Sequence, residues 1–249
     1  MLIHDEIENG VVVVTGGGGG IGRAISREQS MQGYRIAIWD HDLRLAEHTA
    51  RSVEECGGQA IALSVDVADP DQVAAATATT LSEFGSVSAL VTCSGFNDFT
   101  ALDELTPDRW ERMMASHLTG DYLAVRALVP SMRTLGYGRI VMLSSMAGVS
   151  GSAGHVHYAA AKAGIIGFAK ALCKELGPDG ITVNVIAPGT IETPMIANVP
   201  DEVMRRYADN PVGRIGKPDD IAHFVSAVLS PRASFLTGAV LHINGGAYV

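Results

Sequence analysis

Val11-Val12-Val13-Val14-Thr15-Gly16-Gly17-Gly18-Gly19-Gly20-Ile21-Gly22 decides the fold. An apolar run passes there without a break into glycines and then into an amphipathic pattern with Ile21, Ala24 and Ile25 on its apolar side. That order reads as strand, tight turn, helix. Glycine suits the turn because the backbone must reverse sharply, approach a pyrophosphate closely and present N–H groups at a helix N-terminus. Gly16, Gly20, Ile21 and Gly22 are therefore candidate dinucleotide contacts, the plainer alternative being a flexible turn. Asp40 closes the next strand-like run at the spacing of a ribose ligand, and Asp66-Val67 follows the third, where the carboxylate can meet an adenine amino group. A carboxylate at 40 accepts bonds from ribose hydroxyls and repels a 2′-phosphate, which favours NAD over NADP; the bases His41 and Arg44 nearby pull the other way. Both acids also have a plainer reading as helix-cap or turn residues.

Outward from this unit the same alternation runs through the chain. Short apolar runs at Val11-Val14, Arg35-Trp39, Ala60-Val65, Ala89-Thr92, Arg139-Leu143, Thr182-Ile186 and Val240-Ile243 are separated by helical patterns near 20–32, 42–56, 70–83, 107–135, 158–176 and 218–229. This predicts an α/β fold: a Rossmann-like, doubly wound parallel sheet of seven strands with helices on both faces. Asp69-Pro70 and Thr106-Pro107 supply cap-then-proline helix starts. The reading is one dinucleotide-binding domain over 1–249. Its one long irregular stretch, about 188–218, is a candidate substrate lid.

Composition narrows the partners. With 18 Lys+Arg against 27 Asp+Glu the net charge is −9, and no basic run is present, which argues against nucleic acid or an anionic membrane as partner. The acidic start, Met1 to Glu8, lacks a signal-peptide pattern, and the most apolar window, Val156 to Cys173, carries Lys162 and Lys170, so a cytoplasmic protein is expected. Cys56, Cys93 and Cys173 are too few and too scattered for a disulfide framework or a metal site. A charged fraction of 18%, below the usual quarter or so, agrees with surface covered by other subunits.

Tyr158-Ala159-Ala160-Ala161-Lys162 puts a phenol and an ammonium on one helix face, where the cation favours the phenolate and makes the pair a plausible acid/base. Alone, such a pair is ordinary surface decoration. Ser145 changes its weight, because it ends the fifth strand at the sheet edge where such folds bind ligands. Here the sequence resembles the short-chain dehydrogenase/reductase family. The matching motifs are Thr15-Gly16-x-x-x-Gly20-x-Gly22, Ser145 with Tyr158-x-x-x-Lys162, Asn184-Val185-Ile186-Ala187-Pro188-Gly189, and Gly238-x-x-Leu241-His242-Ile243-Asn244-Gly245-Gly246. They span nearly the whole chain in order. The resemblance implies a sheet order of 3-2-1-4-5-6-7 and a homotetramer that pairs the helices near 107–135 and 158–176. It implies that Tyr158 exchanges a proton with the substrate oxygen, that Lys162 lowers the Tyr158 pKa and holds the nicotinamide ribose, and that Ser145 orients the substrate. It also implies that Ile191 and Thr193, after Pro188-Gly189, meet the carboxamide.

Two departures stand out. Thr92-Cys93-Ser94-Gly95 replaces the family's Asn-Asn-Ala-Gly: Gly95 keeps the close approach to the cofactor, and Cys93 reads as a packed small residue with cofactor contact through its backbone. His117 stands where the family has its fourth catalytic residue, an asparagine. Either the ring fills the asparagine's space, or the imidazole joins a proton relay and adds a titration near pH 6–7. Substrate-pocket candidates are Phe96, Met146, Gly151, His155, Met195, Ile196, Val199 and Met204. The leading expectation is an NAD-dependent enzyme interconverting a small-molecule secondary alcohol and ketone, with no metal. The alternatives are a 3-oxoacyl-[acyl-carrier-protein] reductase using NADPH, which Asp40 and Asp179 oppose, and a non-catalytic dinucleotide-sensing protein, which the intact Ser145, Tyr158 and Lys162 oppose.

Overall fold

The computed structural model describes residues 10–196 and 201–248. Val11, Val12, Val13 and Val14 are fully buried, as a strand must be when helices cover both faces of its sheet. Alternate side chains go to opposite sides: Val11 and Val13 join Trp39, Leu90 and Leu128 in one apolar layer, and Val12 and Val14 join Ile25, Ile36 and Ile38 in the other. The strands are β1 (Val11–Thr15), β2 (Arg35–Asp40), β3 (Ala60–Ser64), β4 (Ala89–Thr92), β5 (Gly138–Leu143), β6 (Ile181–Pro188) and β7 (Val240–Ile243). They pair in parallel throughout, in the expected order β3-β2-β1-β4-β5-β6-β7.

The helices follow the sequence pattern with one instructive exception. α1 (Gly20–Met31), α2 (Leu43–Glu54) and α3 (Pro70–Phe84) come first, and Asp69 caps α3 by accepting from the Asp71 and Gln72 N–H groups. The single helix expected over 107–135 is divided. α4 (Pro107–Met114), capped by Thr106, runs into a π-helical turn at Ala115–Thr119 before α5 (Gly120–Leu135) resumes. One such wide turn re-aims a side chain without ending the helix. The residue it buries is His117.

A short α6 (Met146–Ser150) follows β5, and α7 (Val156–Leu176) lies against β6. The stretch 188–218 contains more structure than its composition announces. Ile191 bridges to Gly216, and α8 (Asp201–Ala208) precedes α9 (Pro218–Leu229), which packs on α1. The stretch 1–8, Val199 and the side chain of Met195 lie outside the described residues. No helix among the described residues is long and apolar enough to cross a membrane.

Candidate active site

The carboxyl ends of β1, β2, β4, β5 and β6 open on one cavity of about 830 Å³. In the order of the strands, Asp40 and the loop Gly16 to Gly22 line it on the β2–β1 side, and Ser145, Tyr158 and Lys162 line it on the β5 side. Asp66, Val67, Cys93, Gly95, Pro188, Gly189, Ile191 and Thr193 share its wall, as do Phe96, Met146, Gly151, His155 and Ile196. Met204, on α8, is not among its described lining residues.

The glycine loop is built for a group that needs backbone N–H donors. Gly16 has φ +62°, and a Cβ there would sit 2.7 Å from the Cys93 carbonyl oxygen, so the residue must be glycine for both reasons. Thr15 Oγ1 fixes the facing loop by accepting from the Cys93 and Ser94 N–H groups at 3.2 and 3.4 Å. α1 then begins without a side-chain cap and without an acid in its first turn, which leaves that turn's donors for an anion. Asp40 is 5% exposed and does not cap α2; Asp42 does. Instead Asp40 accepts from the Gly18 N–H at 3.0 Å and the Asp42 N–H at 3.0 Å, with His41 Nδ1 at 3.1 Å. Arg44 is engaged by Asp42. Asp66 is an exposed turn residue, accepting from the Ala68 N–H.

At the other side, Lys162 lies one turn beyond Tyr158 on α7. Its Nζ is 5.9 Å from the Tyr158 ring centre and donates to the Leu143 carbonyl at 2.7 Å. Ser144 Oγ donates to the Lys162 carbonyl at 2.7 Å, which ties α7 to the end of β5. Ser145 caps α6: its Oγ accepts from the Ala147 N–H at 3.1 Å, a role that keeps its own hydrogen available to a substrate oxygen. His117 touches Tyr158 edge-on, ring centres 5.4 Å apart, and its Nε2 lies 3.2 Å from the Phe96 N and 3.0 Å from the Phe96 O.

Sequence reasoning missed a second layer behind these groups. His157, fully buried, places Nε2 3.4 Å from Asp98, and Arg109 grips the same carboxylate with both Nε and a terminal nitrogen. The Arg109 guanidinium holds the Asp98 carboxyl down to about 2. That clamp fastens the loop after β4 to the starts of α4 and α7, and only tertiary contact brings its members together. His155 bonds Ser152 Oγ through Nδ1 at 3.2 Å and lies with its ring centre 3.6 Å from that of Phe99.

Comparison with known proteins agrees with this arrangement. The family described as Enoyl-(Acyl carrier protein) reductase matches residues 16–248. The short-chain reductase protein NovJ of Streptomyces niveus is 37% identical over 247 residues, covering 96% of this chain and 94% of that one. The 3-oxoacyl-[acyl-carrier-protein] reductase FabG of Vibrio cholerae is 34% identical, covering 98% and 99%. The crystal structure of levodione reductase superposes with a TM-score of 0.92 at 29% identity, covering 96% of this chain and 98% of that one. The chain belongs to the short-chain dehydrogenase/reductase family. It is an oxidoreductase of that family, whose members bind a nicotinamide dinucleotide, and the uncapped start of α1 beside the glycine loop suits the pyrophosphate of that cofactor.

The two departures from the short-chain dehydrogenase/reductase pattern acquire physical content here. The space a Cβ would fill at Gly95 is taken by the His117 ring, 2.1 Å from its Cε1. His117 is 2% exposed; burial, and then the Lys162 charge, push its imidazole down to about 3. The ring is therefore neutral at physiological pH, which favours the space-filling reading over a titration near pH 6–7. Thr92 Oγ1 donates to Asp121 Oδ2 at 2.7 Å in the interior, and burial pushes the Asp121 carboxyl up to about 7. Burial likewise pushes the Cys93 thiol up to about 12, in keeping with a packed thiol.

A depressed folded-state pKa at His117 contributes stability that is complete above the unfolded value of about 6.5 and is lost as pH falls toward 3, because only the unfolded chain binds the proton in that window. The loss is on the order of 2 kcal/mol by pH 5. Asp121 acts with the opposite sign, its contribution present below about 4 and lost as pH rises toward 7, so the two slopes oppose each other between them. Urea denaturation at pH 8 and 5 is expected to show His117→Asn gaining about 2 kcal/mol relative to wild type at the lower pH. A difference independent of pH would mean that His117 titrates normally.

Proposed function

We propose that this chain is an NAD-dependent oxidoreductase that interconverts a secondary alcohol and a ketone, with Tyr158 as general acid/base. The observation that carries the reading is one cavity that joins the Gly16–Gly22 loop and Asp40 to Ser145, Tyr158 and Lys162. The nicotinamide cofactor supplies hydride acceptance and donation when bound. The protein's part is position and charge. The first turn of α1 holds the pyrophosphate, and Asp40 sits where ribose hydroxyls are met. Ser145 donates to the substrate oxygen while Tyr158 takes or returns its proton, with the Lys162 ammonium 5.9 Å from the centre of the phenol ring. His117 fills the space between Gly95 and Tyr158. The segment about 188–218 serves as a lid, a role supported by Thr193, whose side chain lies against Gly20.

Two observations support NAD. Asp40 presents a buried carboxylate to the cavity, and Arg44, the nearest arginine in sequence, is bonded to Asp42. A 3-oxoacyl-[acyl-carrier-protein] reductase is the second reading, favoured by the FabG relatives. It is opposed by Asp179, whose carboxylate pairs with Arg133 at 2.7 Å and offsets the charge of that base.

Initial rates with NAD and NADP over secondary alcohols, polyols, hydroxysteroids and 3-hydroxyacyl thioesters test both readings. Wild type is expected to prefer NAD by tenfold or more in kcat/KM, and Asp40→Asn to narrow that ratio by about tenfold, an effect of roughly 1.4 kcal/mol on like-charge repulsion. Turnover confined to hydroxyacyl thioesters with NADP would replace the proposed function with the second reading.

A further inference from the structure

Three side chains that depart from the family's pattern or go unread in the sequence lie at the end of β4 and across the π-helical turn into α5. Thr92 ends β4, His117 occupies the π-helical turn, and Asp121 stands in the first turn of α5 just after it. Thr92 is 1% exposed and Asp121 3%, and the 2.7 Å hydrogen bond from the Thr92 hydroxyl joins them. β4 pairs directly with β5, Thr92 opposite Met142, so this pair lies one strand away from the Leu143 carbonyl that receives the Lys162 ammonium. An interior carboxyl with one neutral donor is costly to ionise unless a cation compensates it. Lys162, whose ammonium sits at the end of the neighbouring strand β5, is the cation placed to compensate Asp121, its charge opposing the upward push of burial on that carboxyl.

His117 is neutral, the Cys93 thiol is protonated, and α3 turns Val73, Ala76, Thr77 and Thr80 inward while Asp71 and Glu83 stay exposed. Val67 packs against Gly120, and its neighbour Asp66 is exposed. We propose that Asp121, held by Thr92 beneath the cavity, is the counter-charge of Lys162 and a positioning residue that sets the positive charge felt at Tyr158. The inference deepens the proposed function, since it concerns the same proton-exchanging pair. An ionised Asp121 offsets part of the Lys162 charge; a protonated one restores it.

The first readout needs no turnover. Carboxyl ¹³C NMR, with the Asp121 signal assigned by its loss in Asp121→Asn, is expected to show Asp121 titrating near neutrality in the whole protein. In Lys162→Met its proton affinity is expected to rise at least fivefold, because the compensating cation is gone. The second readout is the pH dependence of kcat/KM for alcohol oxidation. Asp121→Asn is expected to move its acid limb to lower pH by about one unit, a tenfold change, since the offsetting carboxylate is lost.

Thr92→Val, which keeps the carboxyl and removes its donor, is expected to raise the Asp121 proton affinity and gives a second route where Lys162→Met does not fold. An Asp121 signal in the ordinary carboxylate range, or one indifferent to Lys162→Met, overturns the inference, as does an unmoved pH profile in Asp121→Asn. A coupled Asp121 titration in a protein that turns over no alcohol or ketone would keep the inference and sink the proposed function.

Discussion

Tyr158→Phe is expected to lower kcat for both alcohol oxidation and ketone reduction by about 10³-fold, the usual worth of a positioned general acid/base. The substitution removes one hydroxyl and leaves the ring, so the edge contact to His117 and the contact to His155, ring centres 5.5 Å apart, persist. Melting temperature is therefore expected to stay within about 2 °C of wild type, no more than about 1 kcal/mol for a chain of this size. Dinucleotide affinity, followed by fluorescence titration, should change by less than about threefold, because the glycine loop and Asp40 lie on strands remote from the phenol. The effect then falls on kcat with little change in KM, the signature of an interaction made in the transition state. Retention of more than about a tenth of wild-type kcat would move the proton to another group and remove Tyr158 from the mechanism.

What could be read from the sequence follows from how local each feature is. The strands were legible because each is a short apolar run, with β1, β4, β5 and β6 buried on both faces, and the glycine loop because its chemistry is written in consecutive residues. Tyr158 and Lys162 were legible because helical geometry fixes the relation between i and i+4. The sheet order came from the resemblance, since no local pattern says that β1 sits between β2 and β4.

The unread features are those made by tertiary contact or by a small change of helical pitch. A π-helical turn leaves the apolar periodicity of 107–135 nearly intact, so the sequence placed His117 in the asparagine's space by resemblance and did not show the turn that buries it. Asp121 reads as a polar residue on a helix and was passed over; its partner Thr92 is 29 positions away. Thr92 reads only as the residue in place of the first asparagine of the family's Asn-Asn-Ala-Gly. The Asp98, Arg109 and His157 clamp joins three elements whose spacing carries no motif.

Gly95→Ala is expected to be severe, and for two separable reasons. Gly95 has φ +148°, a conformation nearly closed to residues with a Cβ and worth roughly 1–3 kcal/mol of strain. The added methyl would also stand 2.1 Å from Cε1 and 2.5 Å from Nδ1 of His117, whose ring is held at Phe96 and packed against Tyr158. Relief requires the ring to move, at about 1–3 kcal/mol for overpacking in an interior. A stability loss of about 2–6 kcal/mol is therefore expected by urea denaturation, and activity should fall more than stability requires because the displaced ring presses on Tyr158. Gly95→Ala/His117→Ala separates the causes. The smaller side chain removes the clash and leaves the strain, so the double variant is expected to recover about 1–3 kcal/mol relative to the sum of the single changes. Strict additivity would mean that His117 does not occupy the space facing Gly95, and that glycine is required there by backbone conformation alone.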